Sequence, residues 1–255
     1  MHASAEDLLS RIETDGFTVL PRVFAPERVD LIVDELTTAL NAPVSVGRIQ
    51  SETGTLYAAR NILTLWPAAA DVWREPVLSD ALVHILGPDF GLVRTLFFDK
   101  PPRQSWTLPW HKDLTVAVRD NQLPSIHFRR PTQKAGVPHA EAPQELLERM
   151  LTVRIHLDDV TAENGPLKVI PGSHRSGKML PNGDVPATTI LANRGDVLLM
   201  RPLLAHCSGH AHPETWRHRR ILHLEFAADT ALPDGYAWHE FVPYAGDTAC
   251  GAFLS

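Results

Sequence analysis

The sequence predicts a mainly β protein of the sandwich, barrel or jelly-roll type. The helices that must connect the strands of a parallel sheet are missing from its second part, which disfavours a Rossmann-type fold. Short apolar runs follow one another there instead, separated by Pro, Gly, Asn and Asp, and such runs predict short strands between turns. They lie at 92–98, 114–118, 151–157, 167–170, 188–191, 197–200 and 221–226.

The N-terminal part, up to about residue 90, reads differently and predicts a helical support for the β core. Ser4 is suited to an N-cap, with Asp7 as its capping-box partner, and Gly87 followed by Pro88 is a helix stop signal. Helices are predicted at 6–12, from 26 to about 41 and at 79–86, with a short strand at 17–20.

Length and composition indicate a single cytoplasmic domain over 1–255. The chain has a mass of 28.3 kDa and a net charge of -6, so it offers no basic surface for nucleic acid. No apolar run approaches the roughly 18 to 20 residues of a membrane helix, and the acidic start MHASAEDLL lacks the apolar region of a signal peptide. Two cysteines are too few for a disulfide framework or a structural zinc cluster.

The segment 119–145 breaks the rhythm of short strands. It holds four prolines and mixed charges without a clean period, and only 144–150 has a helical pattern. Long loops inside compact domains are frequently functional, so we predict a lid here. A solvated insertion without a role is the alternative.

The pattern His-x-Asp occurs twice and is the natural starting point for a metal site. Residues at i and i+2 of a strand point to the same side, so an imidazole and a carboxylate can chelate one ion there. The first copy is His111-Lys112-Asp113, before an alternating apolar run. The second, His156-Leu157-Asp158, lies in a strand that ends in a turn. The polar face of this strand indicates solvent exposure, hydrogen-bonded packing, a wet cavity or metal ligation.

A third ligand is expected late in the chain on another strand. The turn at Gly195-Asp196 leads into an apolar run, and the chain then reaches His206. A 2-His-1-carboxylate set leaves open coordination positions on an octahedral metal. The nearby histidines lie in a polar loop and are predicted to be solvated: His210, His212 and His218.

An arginine cluster precedes the strand at 221–226. A guanidinium binds a carboxylate in bidentate fashion, so an arginine beside a metal site suits a dicarboxylate cosubstrate. Arg217, Arg219 and Arg220 are the candidates. Ser208 lies two residues after His206 on the same face and can add a hydroxyl. A charged strand edge that prevents aggregation is the alternative.

Five segments in order resemble the phytanoyl-CoA dioxygenase family of Fe(II)- and 2-oxoglutarate-dependent oxygenases. They are DGFTVLPRVFAPERVDLIVDEL, LFFDKPPRQSWTLPWHKDLTVAV, LTVRIHLDDVTAENGPLKVIPGSHRSG, GDVLLMRPLLAHCSG and HRRILHLEFA. The resemblance implies a double-stranded β-helix, which is a cupin-like jelly roll, at about 91–230 on N-terminal supporting helices. It also implies Fe(II), 2-oxoglutarate and O2 as cofactors and cosubstrates.

The same resemblance assigns roles to individual residues. It makes His111, Asp113 and His206 the iron ligands, and it makes the arginine that opens the last strand the clamp for 2-oxoglutarate. We favour Arg219 for that role, while Arg217 and Arg220 stay open. Strand parity places Thr115 on the face of His111 and Asp113, where it could contact the cosubstrate.

Two positions depart from the family pattern. Lys112 stands where the family often has Gln, and Arg154 stands where it frequently has Trp. Both departures concern how the carboxylate of 2-oxoglutarate nearest to the iron is held.

The expected activity is hydroxylation of a small-molecule metabolite with release of succinate and CO2. Halogenating relatives of this family have a small residue in place of the metal-binding carboxylate, so the resemblance, with Asp113 present, implies hydroxylation or another oxidation. Arg129, Arg130, Lys134 and His139 could receive an anionic or polar molecule, although a solvated lid explains them equally well. A non-catalytic cupin-like metal or ligand sensor and a metal-dependent hydrolase or isomerase are the alternatives. No nucleic-acid or membrane partner is expected, and the oligomeric state is left open.

Overall fold

We examined a computed structural model of the protein, which describes residues 5–42, 47–50, 54–102 and 105–244. Its helices are α1 (Ala5–Thr14), α2 (Pro26–Asn41), α3 (Ile62–Leu65), α4 (Pro76–Leu86) and α5 (Gln144–Glu148). Its strands are β1 (Phe17–Leu20), β2 (Arg48–Gln50), β3 (Leu56–Arg60), β4 (Gly91–Phe98), β5 (Leu108–His111), β6 (Thr115–Ala117), β7 (Arg129–Lys134), β8 (Val137–Glu141), β9 (Met150–His156), β10 (Leu167–Val169), β11 (Thr188–Thr189), β12 (Val197–Met200), β13 (His206–Ser208), β14 (Ile221–Ala227) and β15 (Val242–Pro243).

The strands form two facing antiparallel sheets and a smaller third one, so the predicted mainly β fold is confirmed. The large sheet has the strand order β1-β12-β9-β14-β4-β3-β2, with β15 also paired to β4. The second sheet has the order β11-β10-β13-β5, and the third has the order β6-β8-β7. Apolar side chains of β10 pack against those of β1 and β12, which shows that the first two sheets face each other.

The outer face of the large sheet carries the main apolar core. Alternate residues of β9 and β14, among them Val153 and Leu224, are fully buried there. The apolar stripes of the N-terminal helices, including Ile12, Ile32 and Leu82, belong to the same core cluster. Burial of these side chains, each worth roughly 1.5–3 kcal/mol, fixes the helices against the sheet.

The inner face of the large sheet is polar but nevertheless buried. Thr152, Arg154 and His156 of β9 lie on it, beside His223 and Glu225 of β14, and all five are at most 7% exposed. Solvent exposure is therefore not the reason for the polar alternation in β9. Polar groups are buried only where they find partners or serve a ligand, so this face identifies the functional interior of the protein.

Most predicted elements are present with small shifts at their ends. The predicted helix at 79–86 begins earlier, at Pro76, and the helical piece at 144–150 ends at Glu148 because Met150 already belongs to β9. The proposed N-cap Ser4 lies outside the described residues. In the part of the chain that the structure describes, no helix has the length and apolar character needed to cross a membrane.

The segment 119–145 is more regular than its sequence indicated. Strands β7 and β8 form a hairpin that pairs with β6. The turn residues Ala135 and Gly136 both have positive φ, of 50° and 79°, which is the geometry of a two-residue hairpin turn. Positive φ costs little for glycine but is unfavourable for alanine, so composition alone did not reveal this turn. A role as a lid stays a prediction.

Burial makes His156 a source of pH-dependent stability. Its Nδ1 donates to the carbonyl oxygen of Asp196 at 3.1 Å, and burial together with the charge of Arg154 lowers its pKa to about 4. The folded state therefore holds His156 neutral, while the unfolded chain protonates it near pH 6.5. Its stabilising contribution is complete above about pH 6.5 and is lost as the pH falls towards 4.

We expect the free energy of unfolding of the metal-free protein to fall by about 2 kcal/mol between pH 7 and pH 5 because of this group. Urea unfolding at both pH values measures the change, which should be smaller in His156→Asn by about this amount. The exposed-loop variant His210→Asn is the control and should keep the wild-type dependence. An equal dependence in His156→Asn would contradict the assignment.

Candidate metal centre

Neighbouring strands of the second sheet bring the three predicted metal ligands together. His111 ends β5 and His206 begins β13, and the two residues are direct partners in the antiparallel register. Their imidazole centroids are 4.1 Å apart. Asp113 follows two residues after His111, where its backbone N–H donates to the carbonyl oxygen of Pro202 at 2.9 Å.

The side-chain geometry of this group suits one metal ion. One ligand atom from each of His111, Asp113 and His206 can be chosen so that all three lie within 4.8 Å of one another. Nε2 of His111 lies 3.8 Å from a carboxylate oxygen of Asp113, and Nε2 of His206 lies 3.7 Å from the other oxygen. Two imidazoles and one carboxylate are the donor set of non-haem Fe(II) sites.

Backbone carbonyls orient both imidazoles. Nδ1 of His111 donates to the carbonyl oxygen of Pro109 at 2.8 Å, and Nδ1 of His206 donates to that of Leu204 at 2.9 Å. Because a carbonyl only accepts, each ring carries its hydrogen on Nδ1 and presents the lone pair of Nε2 to the metal position. Such outer hydrogen bonds are typical of metal-binding histidines.

The protonation states at neutral pH also suit a metal. Burial opposes ionisation of Asp113, but the imidazoles of His206, His223 and His111 and the charge of Arg94 outweigh it and lower the pKa of Asp113. Burial lowers the pKa of His206 to about 4 although Asp113 opposes this shift. The site thus offers a carboxylate and a neutral imidazole, the forms that coordinate metal ions.

A buried pair of cations lies near the start of β14. Arg219 is 2% exposed and Lys100 is 1% exposed. Burial and then their mutual repulsion lower the pKa of Lys100 to about 7, with a further contribution from Arg154. Burial and the charge of Arg154 lower the pKa of Arg219 to about 9. Two buried cations repel each other strongly, so an anion between them would be favoured.

The ammonium group of Lys100 has hydrogen-bond partners, whereas Nε of Arg219 has none among the described residues. Lys100 Nζ donates to Oγ of Ser208 at 2.7 Å and to the carbonyl oxygens of Gly165 and Gly209. Among the described residues, Arg219 forms no ion pair, and its buried Nε has no hydrogen-bond partner. The ring of Trp106 lies beside both cations, 4.9 Å from Lys100 Nζ and 5.9 Å from the guanidinium carbon of Arg219.

The three arginines of the cluster occupy different environments. Arg220 makes a two-pronged ion pair with Asp158, with nitrogen–oxygen distances of 2.9 and 2.6 Å. Arg217 is partly exposed and lies 3.8 Å from Asp159. Arg219 is thus the buried member without an ion-pair partner among the described residues, although the charge of Asp99 offsets part of the lowering of its pKa.

The other residues that the sequence analysis singled out, Ser208, Thr115, His156 and Asp158, have different hydrogen-bond partners. Ser208 accepts a hydrogen bond from Lys100 Nζ, and Thr115 accepts one from Lys134 Nζ at 2.7 Å. Their contacts with a cosubstrate stay predictions. The second His-x-Asp pair stays outside the metal group, because His156 bonds to the backbone of Asp196 and Asp158 pairs with Arg220.

The loop histidines and the lid residues differ in their environments. His218 is exposed, as predicted, and its Nδ1 also lies 3.0 Å from a carboxylate oxygen of Asp99, a hydrogen bond that raises the pKa of His218. His210 and His212 are exposed, as predicted, and so are Arg129 and Arg130.

Lys112 and Arg154, the two positions that depart from the family pattern, make different contacts. Lys112 is directed away from the metal position, and its Nζ donates to the carbonyl oxygens of Ser173 and Gly177 and to Oγ of Ser176, at 2.7, 2.6 and 3.0 Å. Arg154 lies on the inner face, where Nη1 is 3.1 Å from Nδ1 of His223. Lys112 therefore anchors the loop that carries the ligands, whereas Arg154 adds a cation to the interior.

Replacing Lys112 with methionine should weaken both the fold and the metal site. The buried acceptors of the 173–177 turn would lose their donor, which should lower the free energy of unfolding by about 2–3 kcal/mol. Loss of this anchor should also weaken Fe(II) binding, because Lys112 lies between the ligands His111 and Asp113 in the chain. Urea unfolding and anaerobic Fe(II) titration measure the two effects.

The exposed Lys168→Met on β10 is the matched control for this variant and should change neither quantity. An unchanged free energy of unfolding in Lys112→Met would show that the three bonds do not anchor the loop.

Sequence reasoning missed Lys100 and Trp106. The one signal for Lys100 is its position directly after the apolar strand β4, two residues beyond Phe98. Such a lysine is ordinarily a solvated strand end, so only the tertiary structure identifies it as buried.

A jelly roll in which two imidazoles and one carboxylate converge between the sheets defines a cupin-like metal-site protein. The chain matches the family model described as phytanoyl-CoA dioxygenase (PhyH) over residues 12–219. The chain belongs to this family, and the resemblance of its motifs is confirmed.

Sequence relatives include proteins named ectoine dioxygenase. The one from Bordetella parapertussis (strain 12822) is 27% identical over 178 residues, which are 68% of this chain and 50% of the relative. The one from Stutzerimonas stutzeri (strain A1501) is 24% identical over 175 residues, which are 67% of this chain and 51% of the relative. The chain thus spans about half the length of these relatives.

Solved structures with the same fold include EctD from S. alaskensis. Its apo form has a TM-score of 0.68 at 19% identity, covering 88% of this chain and 77% of that one. Its complex with 2-oxoglutarate and 5-hydroxyectoine has a TM-score of 0.67 at 20% identity, covering 88% and 76%. SnoN, a non-heme alpha ketoglutarate dependent epimerase from nogalamycin biosynthesis, has a TM-score of 0.63 at 19% identity, covering 91% and 84%. At these identities the likeness establishes the fold.

Proposed function

We propose that the protein is a non-haem Fe(II)- and 2-oxoglutarate-dependent dioxygenase that hydroxylates a small-molecule metabolite with release of succinate and CO2. One observation carries this proposal: a His-Asp-His group and a buried pair of cations, neither of which has an ion-pair partner among the described residues, lie in the same interior. The first suits a metal, and the second suits the distant carboxylate of a dicarboxylic acid. Family membership supports the same conclusion.

The three ligands would hold the metal from one side. His111, Asp113 and His206 would occupy three positions of an octahedral ion and leave three for exogenous groups. When bound, Fe(II) supplies O2 activation coupled to oxidative decarboxylation of 2-oxoglutarate. The protein contributes orientation and exclusion of water through its buried inner face.

Lys100, Arg219 and Ser208 would bind the far carboxylate of 2-oxoglutarate. The guanidinium can bind it in bidentate fashion, and the ammonium adds charge. Arg154 contributes to the lowered pKa values of both Lys100 and Arg219, while Asp113 partly offsets the lowering of the pKa of Arg154 itself. Arg154 therefore lies between the Lys100–Arg219 pair and the metal ligands. This position suits binding of the 2-oxoglutarate carboxylate that is nearest to the iron.

Oxygen-dependent succinate formation tests this proposal. Under argon, addition of Fe(II) and 2-oxoglutarate should give a weak visible metal-to-ligand charge-transfer band. Admission of O2 should then yield succinate and bleach the band. Ectoine, which the relatives' names suggest, is the first compound to add as a substrate.

Other outcomes identify the alternatives. Metal binding without the band or succinate would contradict the proposal and favour a non-catalytic sensor. Substrate turnover supported by Zn(II) without O2 would favour a hydrolase or isomerase instead.

A further inference from the structure

A second cluster of polar side chains, formed by Arg60, Arg94, Lys134 and Glu225 and here called the chamber, adjoins the metal group at the other end of β14. Arg219 precedes this strand, His223 lies in its middle and Glu225 lies near its end, about 13 Å along from Ile221. His223 and Arg94 both help to lower the pKa of Asp113, which places the metal group over the middle of the strand. The chamber around Glu225 is therefore separate from the Lys100–Arg219 pair.

Three cations line this chamber. Arg94 on β4 is paired with Glu225, with a nitrogen–oxygen distance of 3.0 Å. Arg60 on β3 is the cross-strand partner of Leu96, two residues from Arg94, so both arginines share one face. Lys134 approaches from the β7–β8 hairpin and donates to Oγ1 of Thr115 at 2.7 Å.

Hydrogen bonding connects the two walls of the chamber. Nδ2 of Asn61, which follows β3, donates to the carbonyl oxygen of Ala135 in the hairpin turn at 3.3 Å. Lys134 is adjacent to this turn and Arg60 is adjacent to Asn61, so the contact holds the two cations near each other.

Positive charge exceeds negative charge in the chamber. Glu225 compensates one cation, and neither Arg60 nor Lys134 forms an ion pair with a carboxylate in the described part of the chain. Both side chains are half-buried. Burial and then the charge of Arg94 lower the pKa of each, while Glu225 offsets part of the lowering for both and Asp113 offsets part of it for Lys134. A bound anion would remove this repulsion.

Buried polar atoms without hydrogen-bond partners also indicate that the chamber is a binding site. Nε2 of His139 and Oγ1 of Thr152 are buried without a hydrogen-bond partner, whereas Nε2 of His223 lies 3.4 Å from a carboxylate oxygen of Glu225. These residues are 1%, 1% and 4% exposed. Thr152 is the cross-strand neighbour of Glu225, and His139 is influenced electrostatically by both Arg94 and Lys134. Buried polar atoms without partners are rare in native proteins, and a ligand explains them.

His139 also indicates what else the ligand carries. Its Nδ1 donates to the carbonyl oxygen of Val137 at 2.9 Å, so its Nε2 is a hydrogen-bond acceptor. A hydroxyl or an N–H group of a ligand would satisfy this acceptor.

We propose that this chamber binds the substrate, and that the substrate is a small organic acid whose carboxylate or phosphate contacts Arg60 and Lys134. The same molecule presents a hydroxyl or N–H group to His139. This inference rests on the proposed oxygenase function and names the substrate class of the same site. It assigns substrate recognition to Lys134 and His139 of the 119–145 segment and not to the exposed Arg129 and Arg130.

A binding experiment tests the anion site independently of turnover. The protein is kept under argon with Fe(II) and saturating 2-oxoglutarate, so that the Lys100–Arg219 pair is occupied. Acetate, phosphate and sulfate are then added at constant ionic strength against chloride, and Tm is measured. We expect at least one probe to raise Tm by about 2 °C or more through preferential binding to the folded protein.

Variants locate the effect. Arg60→Gln and Lys134→Met should each abolish the rise in Tm, while Lys134→Arg should retain it. Arg130→Gln is the matched control, because this side chain is on the same hairpin but is 82% exposed. A rise that persists in both Arg60→Gln and Lys134→Met, or no rise for any probe, would contradict the anion site.

A turnover experiment then tests the substrate class. Small metabolites grouped as anionic, neutral and cationic are screened for substrate-dependent succinate release. We expect the active compounds to be anions, and the carboxylate and phosphate members of the panel to identify which anionic group is preferred. For an active acid, its methyl ester and the variant Lys134→Met should each raise KM at least about 10-fold, as expected for a lost charged contact. The KM for 2-oxoglutarate should not change.

The two proposals fail in different ways. Active neutral compounds with unchanged KM in Lys134→Met would overturn the substrate class while the oxygenase function stands. Absence of the charge-transfer band and of succinate would overturn the oxygenase function, and the Tm measurements would then still decide whether the chamber binds anions.

Discussion

Replacing Asp113 with alanine is expected to abolish Fe(II) binding at micromolar concentrations. The change removes one of three ligands and the only carboxylate of the described metal group. Because loss of outer hydrogen bonds alone costs 10–100-fold in metal affinity, loss of a ligand should cost at least about 100-fold. Anaerobic titration with Fe(II), followed by calorimetry, measures the affinity.

The second His-x-Asp pattern provides the matched control for this prediction. Asp158→Asn changes the corresponding residue of His156-Leu157-Asp158, whose carboxylate pairs with Arg220 and not with a metal ligand. This variant should keep the wild-type Fe(II) affinity. Equal affinities for Asp113→Ala and the wild-type protein would show that the metal is held elsewhere.

Replacing Arg219 with methionine should weaken 2-oxoglutarate binding by about 100-fold and leave Fe(II) binding unchanged. The guanidinium is buried without a described counterion, so its charge is available for a carboxylate. Truncating one partner of a buried charge pair typically costs about 2–5 kcal/mol, which corresponds to this loss. The charge-transfer band at increasing 2-oxoglutarate concentrations measures the affinity.

Stability provides a second measurement for the same variant. Removal of an uncompensated buried charge should leave the Tm of the unliganded protein unchanged or raise it. Arg220→Ala should do the opposite, since it removes both guanidinium hydrogen bonds from the half-buried carboxylate of Asp158 and leaves that from the backbone N–H of residue 220. It should lower Tm without affecting 2-oxoglutarate affinity. If Arg220→Ala weakened 2-oxoglutarate binding and Arg219→Met did not, the assignment of the clamp would be wrong.

The elements and the metal group could be predicted because both depend on local patterns. Apolar alternation in β9 and the run in β12 fix which side chains face the main core, and spacing by two residues puts His111 and Asp113 on one side. The pairing of His111 with His206 depends on the register between β5 and β13, which only the tertiary structure shows. It is nevertheless the pairing expected when two strands of a jelly roll each carry a metal ligand. The resemblance to a family then selected the first His-x-Asp pattern over the second.

Other features could not be predicted because they depend on contacts between residues that are far apart in the sequence. Lys100 reads as a solvated strand end, and only the packing of Trp106 and the loop after β13 buries it. Strand β5, with the sequence LPWH, contains a proline and is too short and too exposed to show alternation. The orientation of Lys112 depends on the 173–177 turn, which is distant in sequence.

The polar chamber illustrates the same limit. Arg60, Arg94 and Lys134 come from three separate strands, and each is an ordinary charged residue in its own segment. Only the pairing of β3 with β4 and the position of the β7–β8 hairpin place them together. The net charge of the chain, which is -6, therefore gave no indication of excess positive charge in the interior.

Anomalous diffraction at the iron absorption edge, from crystals prepared under argon with Fe(II) and 2-oxoglutarate, tests the central idea most directly. The peak should lie within bonding distance of Nε2 of His111, Nε2 of His206 and a carboxylate oxygen of Asp113, with the far end of the keto acid against Arg219 and Lys100. A peak at any other set of side chains, or a keto acid bound away from those two cations, would contradict the account.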